Sequence, residues 1–313
     1  MKTWTVLSAT AFLLCAFQVS TTSARTWYIL PDGTGDAPTI QAGIDSAIAG
    51  DIVEAACGTY YEHNLFMKSG ITLISETGQA DCVIVDAQQQ GRGILCVNVD
   101  NSTSIEGITV TGGVTTGSEF PDYFGGGMIC HNSSPFIVNC VFAGNVAFGE
   151  GGAVACVGET SPTFNGCNFM NNAVYGNGSG GGVVCWAAAD ATFVYCVFEG
   201  NSSSIGGGLF CWSANADLVN CTVTGNVAST GGGIAIANGS SFFTYNTEIL
   251  NNDAALGADG AIGYDCLAVL TCSDVDLATF WVEGGTLILD NDDCDGVIGT
   301  EAVTWGGVKV LFR

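Results

Sequence analysis

The chain has 313 residues, 45 of them glycine, with 30 acidic side chains against 6 basic ones and a formal charge of -24. No lysine or arginine occurs between Arg92 and Lys309, which excludes the phosphate contacts of a nucleic-acid binder and attachment to an anionic membrane surface. A mean hydropathy of +0.39 with 10% aromatic residues excludes intrinsic disorder.

The first 24 residues read as an export signal. Met1-Lys2 is a short positive start, Trp4 to Phe17 is an apolar core, and Thr22-Ser23-Ala24 ends in the small residues a signal peptidase accepts. Leu14 stands before Cys15 where a lipid-anchored protein has a small residue. No later apolar run is long enough to span a bilayer. The expectation is a mature chain from Arg25, secreted or at the outer cell surface, with no integral membrane segment.

Pro38 to Ala49 carries apolar residues at 40, 44, 47 and 48, with Asp36 and Pro38 as start signals and Gly50 as a stop, which predicts a short amphipathic helix over about 38–49. Strand-like segments follow at 51–55, 70–75, 83–86, 94–99 and 104–111.

From Gly125 two patterns alternate. A glycine cluster followed by apolar residues recurs as Gly125-Gly126-Gly127-Met128-Ile129-Cys130, Gly151-Gly152-Ala153-Val154-Ala155-Cys156, Gly180-Gly181-Gly182-Val183-Val184-Cys185, Gly206-Gly207-Gly208-Leu209-Phe210-Cys211 and Gly231-Gly232-Gly233-Ile234-Ala235-Ile236, and fades at Asp259-Gly260-Ala261-Ile262. A cysteine, an apolar residue two later and an asparagine five later recur at Cys140/Phe142/Asn145, Cys167/Phe169/Asn172, Cys196/Phe198/Asn201 and Cys221/Val223/Asn226, then with Thr for Cys at Thr247/Ile249/Asn252.

A period this short, filled with β-branched, aromatic and small residues and without helical periodicity, predicts one solenoid turn per repeat. Equivalent strands then stack about 4.8 Å apart and equivalent side chains form ladders in a narrow lumen. The fold class expected is all-β, a single-stranded right-handed parallel β-helix with an N-terminal capping helix. It covers residues 25–280, with regular coils over about 125–262, followed by an acidic segment and tail at 281–313.

The Trp27-Tyr28 start, the capping helix and Gly58-Thr59-Tyr60-Tyr61-Glu62 resemble the N-terminal part of secreted right-handed parallel β-helix proteins of the pectin-lyase-like superfamily. The alternating motifs resemble the repeats of chlamydial polymorphic outer-membrane proteins, which are surface adhesin passengers. The first resemblance implies a fold that hosts lyases, hydrolases and esterases as well as adhesins. The pectin-acting lyases it points to use an Arg or Lys base beside calcium-binding carboxylates, and the esterases two Asp and an Arg. The repeat region here has no Arg or Lys, and the histidines are His63 and His131.

A glycosidase needs only two carboxylates about 5 to 9.5 Å apart. Aligned on the repeats, Asp190 stacks with Ser161 and Asn215, Asp217 with Thr192, and Glu199 with Met170 and Thr224, so those columns hold no acidic pair. Glu119, Asp122, Glu150 and Glu159 flank the first two glycine clusters and are the candidate catalytic residues of a loop-borne site, with solvated carboxylates as the plainer reading. His131 follows Cys130, and neighbours in a strand point to opposite faces, so the two are not expected to act together.

Fourteen cysteines follow Cys15. Two columns of four, Cys130/Cys156/Cys185/Cys211 and Cys140/Cys167/Cys196/Cys221, are expected as packed core thiols. Cys57, Cys82, Cys96, Cys266, Cys272 and Cys294 lie outside those columns and are the disulfide candidates, pairing undetermined. Asn291, Asp293 and Asp295 precede Gly296 with the spacing of a calcium loop, but Ala302 stands where an EF-hand needs its Glu. A solvated acidic turn is expected there, with calcium on those three residues as the alternative; no other cofactor is implied.

The function expected is a monomeric adhesion module binding a polysaccharide or a surface protein without catalysis. The alternative is a carbohydrate-active enzyme, a polysaccharide hydrolase or lyase.

Overall fold

The structure, a computed structural model, describes residues 23–290. Residues 1–22 of the export signal expected over 1–24, and the calcium candidates Asn291, Asp293 and Asp295, lie outside the described residues.

Between one glycine cluster and the next the chain makes one turn and lays a strand into each of three long sheets. In the coil that starts at Gly125 these are Met128–His131, Phe136–Val138 and Val141–Ala143. Stacking builds a first sheet of nine strands, a second of eleven and a third of nine, in about ten turns. The repeats of the sequence are the pairing registers. Cys130 pairs with Cys156, Cys156 with Cys185 and Cys185 with Cys211, and Phe142 pairs with Phe169 and Phe169 with Phe198.

The N-terminal segments form strands at Ile52–Ala55, Thr72–Ser75, Val83–Asp86 and Ile94–Val97. The single strand expected over 104–111 is two, Ser104–Glu106 and Ile108–Thr111, because Gly107 turns a corner at φ +62. A Cβ at Gly107 would lie 2.4 Å from the Gly78 carbonyl carbon, so only glycine fits.

Helix α1 spans Ile40–Ser46, shorter than expected, and its N-cap is Thr39, whose side chain accepts the Ala42 N–H. Glu62 accepts the N–H groups of Ile40 and Gln41, and Lys68 Nζ donates to the carbonyls of Ile44, Asp45 and Ala47, so both helix ends are satisfied from the next coil. Ile40 and Ile44 join the core and close the lumen. In the Gly58 to Glu62 segment the buried Tyr60 hydroxyl donates toward the carbonyls of Ile29 and Ala56, and burial pushes its pKa up to about 12.

Three ladders fill the lumen. Phe142, Phe169 and Phe198 stack along one wall and Phe164 and Phe193 along another, and the two columns meet edge to face at 5.3 to 5.9 Å. Asn145, Asn172, Asn201, Asn226 and Asn252 form a buried amide ladder, each Nδ2 donating to the next side-chain oxygen along the axis. The last of these donates to the Asp259 carboxylate at 2.9 Å.

The cysteines form the third ladder. Cys96 pairs with Cys130, so it belongs to the first column and is a buried free thiol, as is Cys266; neither forms the disulfide expected of it, because each faces the apolar lumen. In the second column the thiols also hydrogen-bond. Cys196 and Cys221 each donate to a carbonyl two residues back and to one on the preceding coil, and Thr247 Oγ1 takes the equivalent two carbonyls. That shared geometry is why Thr replaces Cys in the last repeat. Burial pushes the Cys167 thiol well above its usual range, which leaves it inert. A disulfide joins Cys57 to Cys82 on adjacent coils, with Cα atoms 4.4 Å apart, and Cys272 is also disulfide-bonded. Glu76 lies beside Cys57 and Cys82, but their sulfurs are used in the bond, so this cluster offers no thiolates to a metal.

The solenoid runs past the boundary expected at residue 280. Phe280–Val282 pairs with Gly260–Ile262, and Thr286–Asp290 pairs with Leu267–Thr271. The glycine and asparagine signals have faded there, but Leu287 and Leu289 still point inward.

Candidate functional site

The four carboxylates singled out from sequence fall in different places. Glu119 and Asp122 are exposed in the insertion before Gly125, where the Asp122 N–H donates to the Glu119 carbonyl and the Gly117 N–H to the Asp122 carbonyl. Neither carboxylate lines the cleft that Glu159 borders. The insertion is fastened by Arg92, which is 3% exposed and donates to the carbonyls of Pro121, Phe124 and Gly125. Phe124 covers the outer face of the first sheet beside Ile129, Ala155 and Val184, forming a second small core outside the lumen.

Glu150 is half-buried at the edge of that outer core, between Phe124 and Ser179, and its Oε2 accepts the Ser179 N–H at 2.8 Å. Burial raises its pKa to about 7, against 4.5 for the free side chain. Between these two values the folded state holds a proton that the unfolded chain has lost. The stabilisation is therefore full below about pH 4.5 and is lost as pH rises through about 7. Glu150→Gln keeps an acceptor for Ser179 and removes the titration. The variant is expected to match the parent in urea-unfolding free energy at pH 4.5 and to exceed it at pH 8 by on the order of 2 kcal/mol; equal free energies at pH 8 count against a buried carboxylate.

Glu159 lies on the rim of an open cleft where the first sheet turns into the second. Asp190, Asn215, Ser213 and Asn238 line it, and its volume is 640 Å³. A second cleft of 340 Å³ continues along the outer face of the second sheet and shares Asp190 and Asn215, adding Asp217, Phe243 and Tyr245. The strands Asp190–Val194, Asn215–Val219 and Ser241–Tyr245 place these side chains.

The stacking expected from the repeats is observed, Asp190 against Asn215 and Thr192 against Asp217. Yet Asp190 and Asp217 form an acidic pair that reading by column misses. They lie on neighbouring strands two residues apart on one face, a diagonal of about 8 Å between Cα atoms. Burial and the nearby Asp190 both raise the pKa of Asp217. A directly stacked pair, Glu248 against Asp274, sits on the third sheet, but both residues are exposed and neither lines these clefts.

The three cations among the described residues are engaged elsewhere. Arg25 packs over the Trp27 ring and pairs with Asp36, Lys68 caps α1, and Arg92 is buried in the insertion. His131 leaves the lumen to Cys130 and packs against Phe120, ring centroids 4.7 Å apart. Beyond Val157 in the same outward column Trp186 and Trp212 stack in register, 5.5 Å apart and 12° from parallel. This indole pair, three or four residues before Asn215 and Asp190, carried no motif that distinguished it from core aromatics.

No family model matches the chain, and no curated protein matches it. Among solved structures, pectate lyase Pel9A is similar with a TM-score of 0.53 at 13% identity, over 86% of this chain and 75% of that one. The fold is the pectin-lyase-like right-handed parallel β-helix. A pectin methylesterase from carrot is similar with a TM-score of 0.46 at 10% identity, over 93% of this chain and 90% of that one. At such identity the likeness gives the β-helix its architecture and no chemistry. No helix among the described residues is long and apolar enough to cross a membrane.

Proposed function

We propose that this β-helix is an exported glycan-binding protein whose ligand lies along the joined clefts between Glu159 and Tyr245. The observation that carries the reading is the combination in one groove of hydrogen-bonding carboxylates and amides, Asp190, Asn215 and Asp217, with exposed aromatic side chains, Phe243 and Tyr245. Sugar sites combine such groups, because hydroxyls need acceptors and donors while the C–H faces of the ring need aromatic surface. The export signal supports an extracellular setting.

A second reading, a polysaccharide hydrolase, is favoured by the raised pKa of Asp217 beside Asp190. In an inverting glycosidase one carboxyl group holds a proton while its partner activates water, with the two about 6.5 to 9.5 Å apart. One experiment separates the readings. The mature chain is titrated with a panel of neutral and acidic oligosaccharides, and binding and new reducing ends are measured together.

Binding without cleavage is expected, weakened at least tenfold by Asp190→Asn with Asp217→Asn and unchanged by Glu248→Gln with Asp274→Asn, which removes the same charge elsewhere. Reducing ends that vanish with either single aspartate variant establish the hydrolase. Absence of both binding and cleavage overturns the glycan reading.

A further inference from the structure

The stack of Trp186 and Trp212 is unfinished. Along its column the residues are Val157, Trp186, Trp212 and Ala237. Gly263 comes next, since a Cβ built there would lie 3.7 Å from the Ala237 Cβ. One face of Trp212 is covered by Trp186, and the other looks along the solenoid axis over an alanine and then a glycine. Trp212 is 38% exposed. Two inter-strand steps, about 10 Å, separate its coil from that of Gly263, so the small Ala237 and Gly263 leave a slot the height of about one ring beside the indole. Ser213 and Asn238, hydrogen-bonded to each other, stand at the end of this slot and also line the larger cleft.

We propose that Trp212 is the stacking platform of the groove and that its ligand is an uncharged pyranose polymer, one sugar ring taking the place of a third ring in the stack. This inference rests on the glycan-binding reading and goes further, by naming the anchor and the class of sugar. The C–H face of a pyranose fits a flat indole, and Ser213 and Asn238, the residues that follow Trp212 and Ala237, line the cleft where Asp190 and Asn215 can hold hydroxyl groups. Charge selects against the polyuronates on which pectate lyases act. Glu159, Asp190 and Asp217 border the groove, and each of the three cations among the described residues is occupied elsewhere.

The test uses the whole mature chain, neutral hexasaccharides of glucose, mannose and xylose, and hexagalacturonate, with tryptophan emission and calorimetry as readouts. At least one neutral hexasaccharide is expected to bind and shift the emission, with hexagalacturonate silent at low salt. Trp212→Ala is expected to lose tenfold or more in affinity and Trp212→Phe about threefold. Ala237→Trp, which fills the slot with a third indole, is expected to abolish binding while the melting temperature stays near that of the parent. Neutral-sugar binding that Trp212→Ala and Ala237→Trp leave unchanged overturns the platform and leaves the glycan reading standing. Hexagalacturonate binding as tightly as any neutral sugar overturns the choice of sugar class. Silence of the whole panel overturns both the reading and the inference.

Discussion

Replacing Asn201 with alanine is expected to lower stability by about 4 kcal/mol. Its side-chain oxygen accepts the Asn172 N–H and Nδ2, each at 3.0 Å, and its own amide donates to the Phe169 carbonyl at 2.8 Å and to Asn226 Oδ1 at 3.0 Å. All of this is fully buried, so alanine strands the two Asn172 donors and the Phe169 carbonyl where water does not reach, and leaves Asn226 Oδ1 only the Asn201 backbone N–H. The ladder also has a direction. Every bond between side chains of the ladder points toward the C-terminal end, and the last acceptor is the Asp259 carboxylate, which takes the Asn252 N–H and Nδ2 and the Thr279 hydroxyl. A carboxylate suits the end because all its neighbours donate. In the middle it fails, because the Phe169 carbonyl and Asn226 Oδ1 would face an acceptor. Asn201→Asp is therefore expected to be at least as damaging as Asn201→Ala, although it is nearly isosteric. Urea midpoints and amide exchange in the coils around residue 201 check this, and a stable Asn201→Asp variant would falsify the directional ladder.

The coils were legible because the interactions that build them are periodic. A residue that must face the lumen on one turn must do so on the next, and the Cys, Phe and Asn columns write that requirement into the sequence at every repeat. Legibility failed where the interaction was not periodic. Cys96 belongs to the first cysteine column, but Arg92 interrupts its glycine cluster, leaving Gly91 and Gly93. Gly107 looks like an interruption in a strand and is a corner. The coils beyond residue 262 lose the glycine and asparagine signals and keep only alternation in residues such as Leu287 and Leu289, so the end of the solenoid was placed too early.

The candidate site was less legible for a related reason. Column alignment compares each residue with its direct neighbour on the next coil, and by that rule Asp190 meets Asn215 and Asp217 meets Thr192. A groove on a twisted sheet is lined along diagonals as well, and the Asp190 and Asp217 pair appears only when the face is viewed as a surface. Of the loop carboxylates, Glu159 reaches the groove, while Glu150 proves unusual through burial, which spacing cannot report. Trp186 and Trp212 were visible as residues at equivalent positions. What makes them a platform is the small Ala237 and Gly263 that follow, an absence of bulk that reads as ordinary variation in a glycine-rich chain.

Arg92→Leu is expected to undock the insertion between residues 116 and 124 and to cost about 3 to 4 kcal/mol. The guanidinium holds three carbonyls, those of Pro121, Phe124 and Gly125, at 2.7 to 3.2 Å. Burial lowers its pKa to about 10, partly opposed by Asp122, so it remains charged at neutral pH. Leucine fills part of the volume but donates nothing; Pro121 keeps the Phe124 N–H, while the Phe124 and Gly125 carbonyls recover partners only if the insertion lifts into water. Phe124 would lift with it, uncovering Ile129 and the Trp186 ring that lies 6.1 Å from it. A red shift of tryptophan emission and new protease cleavage within 116–124 are the expected signs. Because each coil contacts chiefly its neighbours, amide protection in the coils beyond residue 230 should be unchanged. Arg92→Lys supplies donors without the planar fork and should recover part of the loss. A resistant, unshifted Arg92→Leu protein would mean that the outer core around Phe124 holds the insertion without the buried cation.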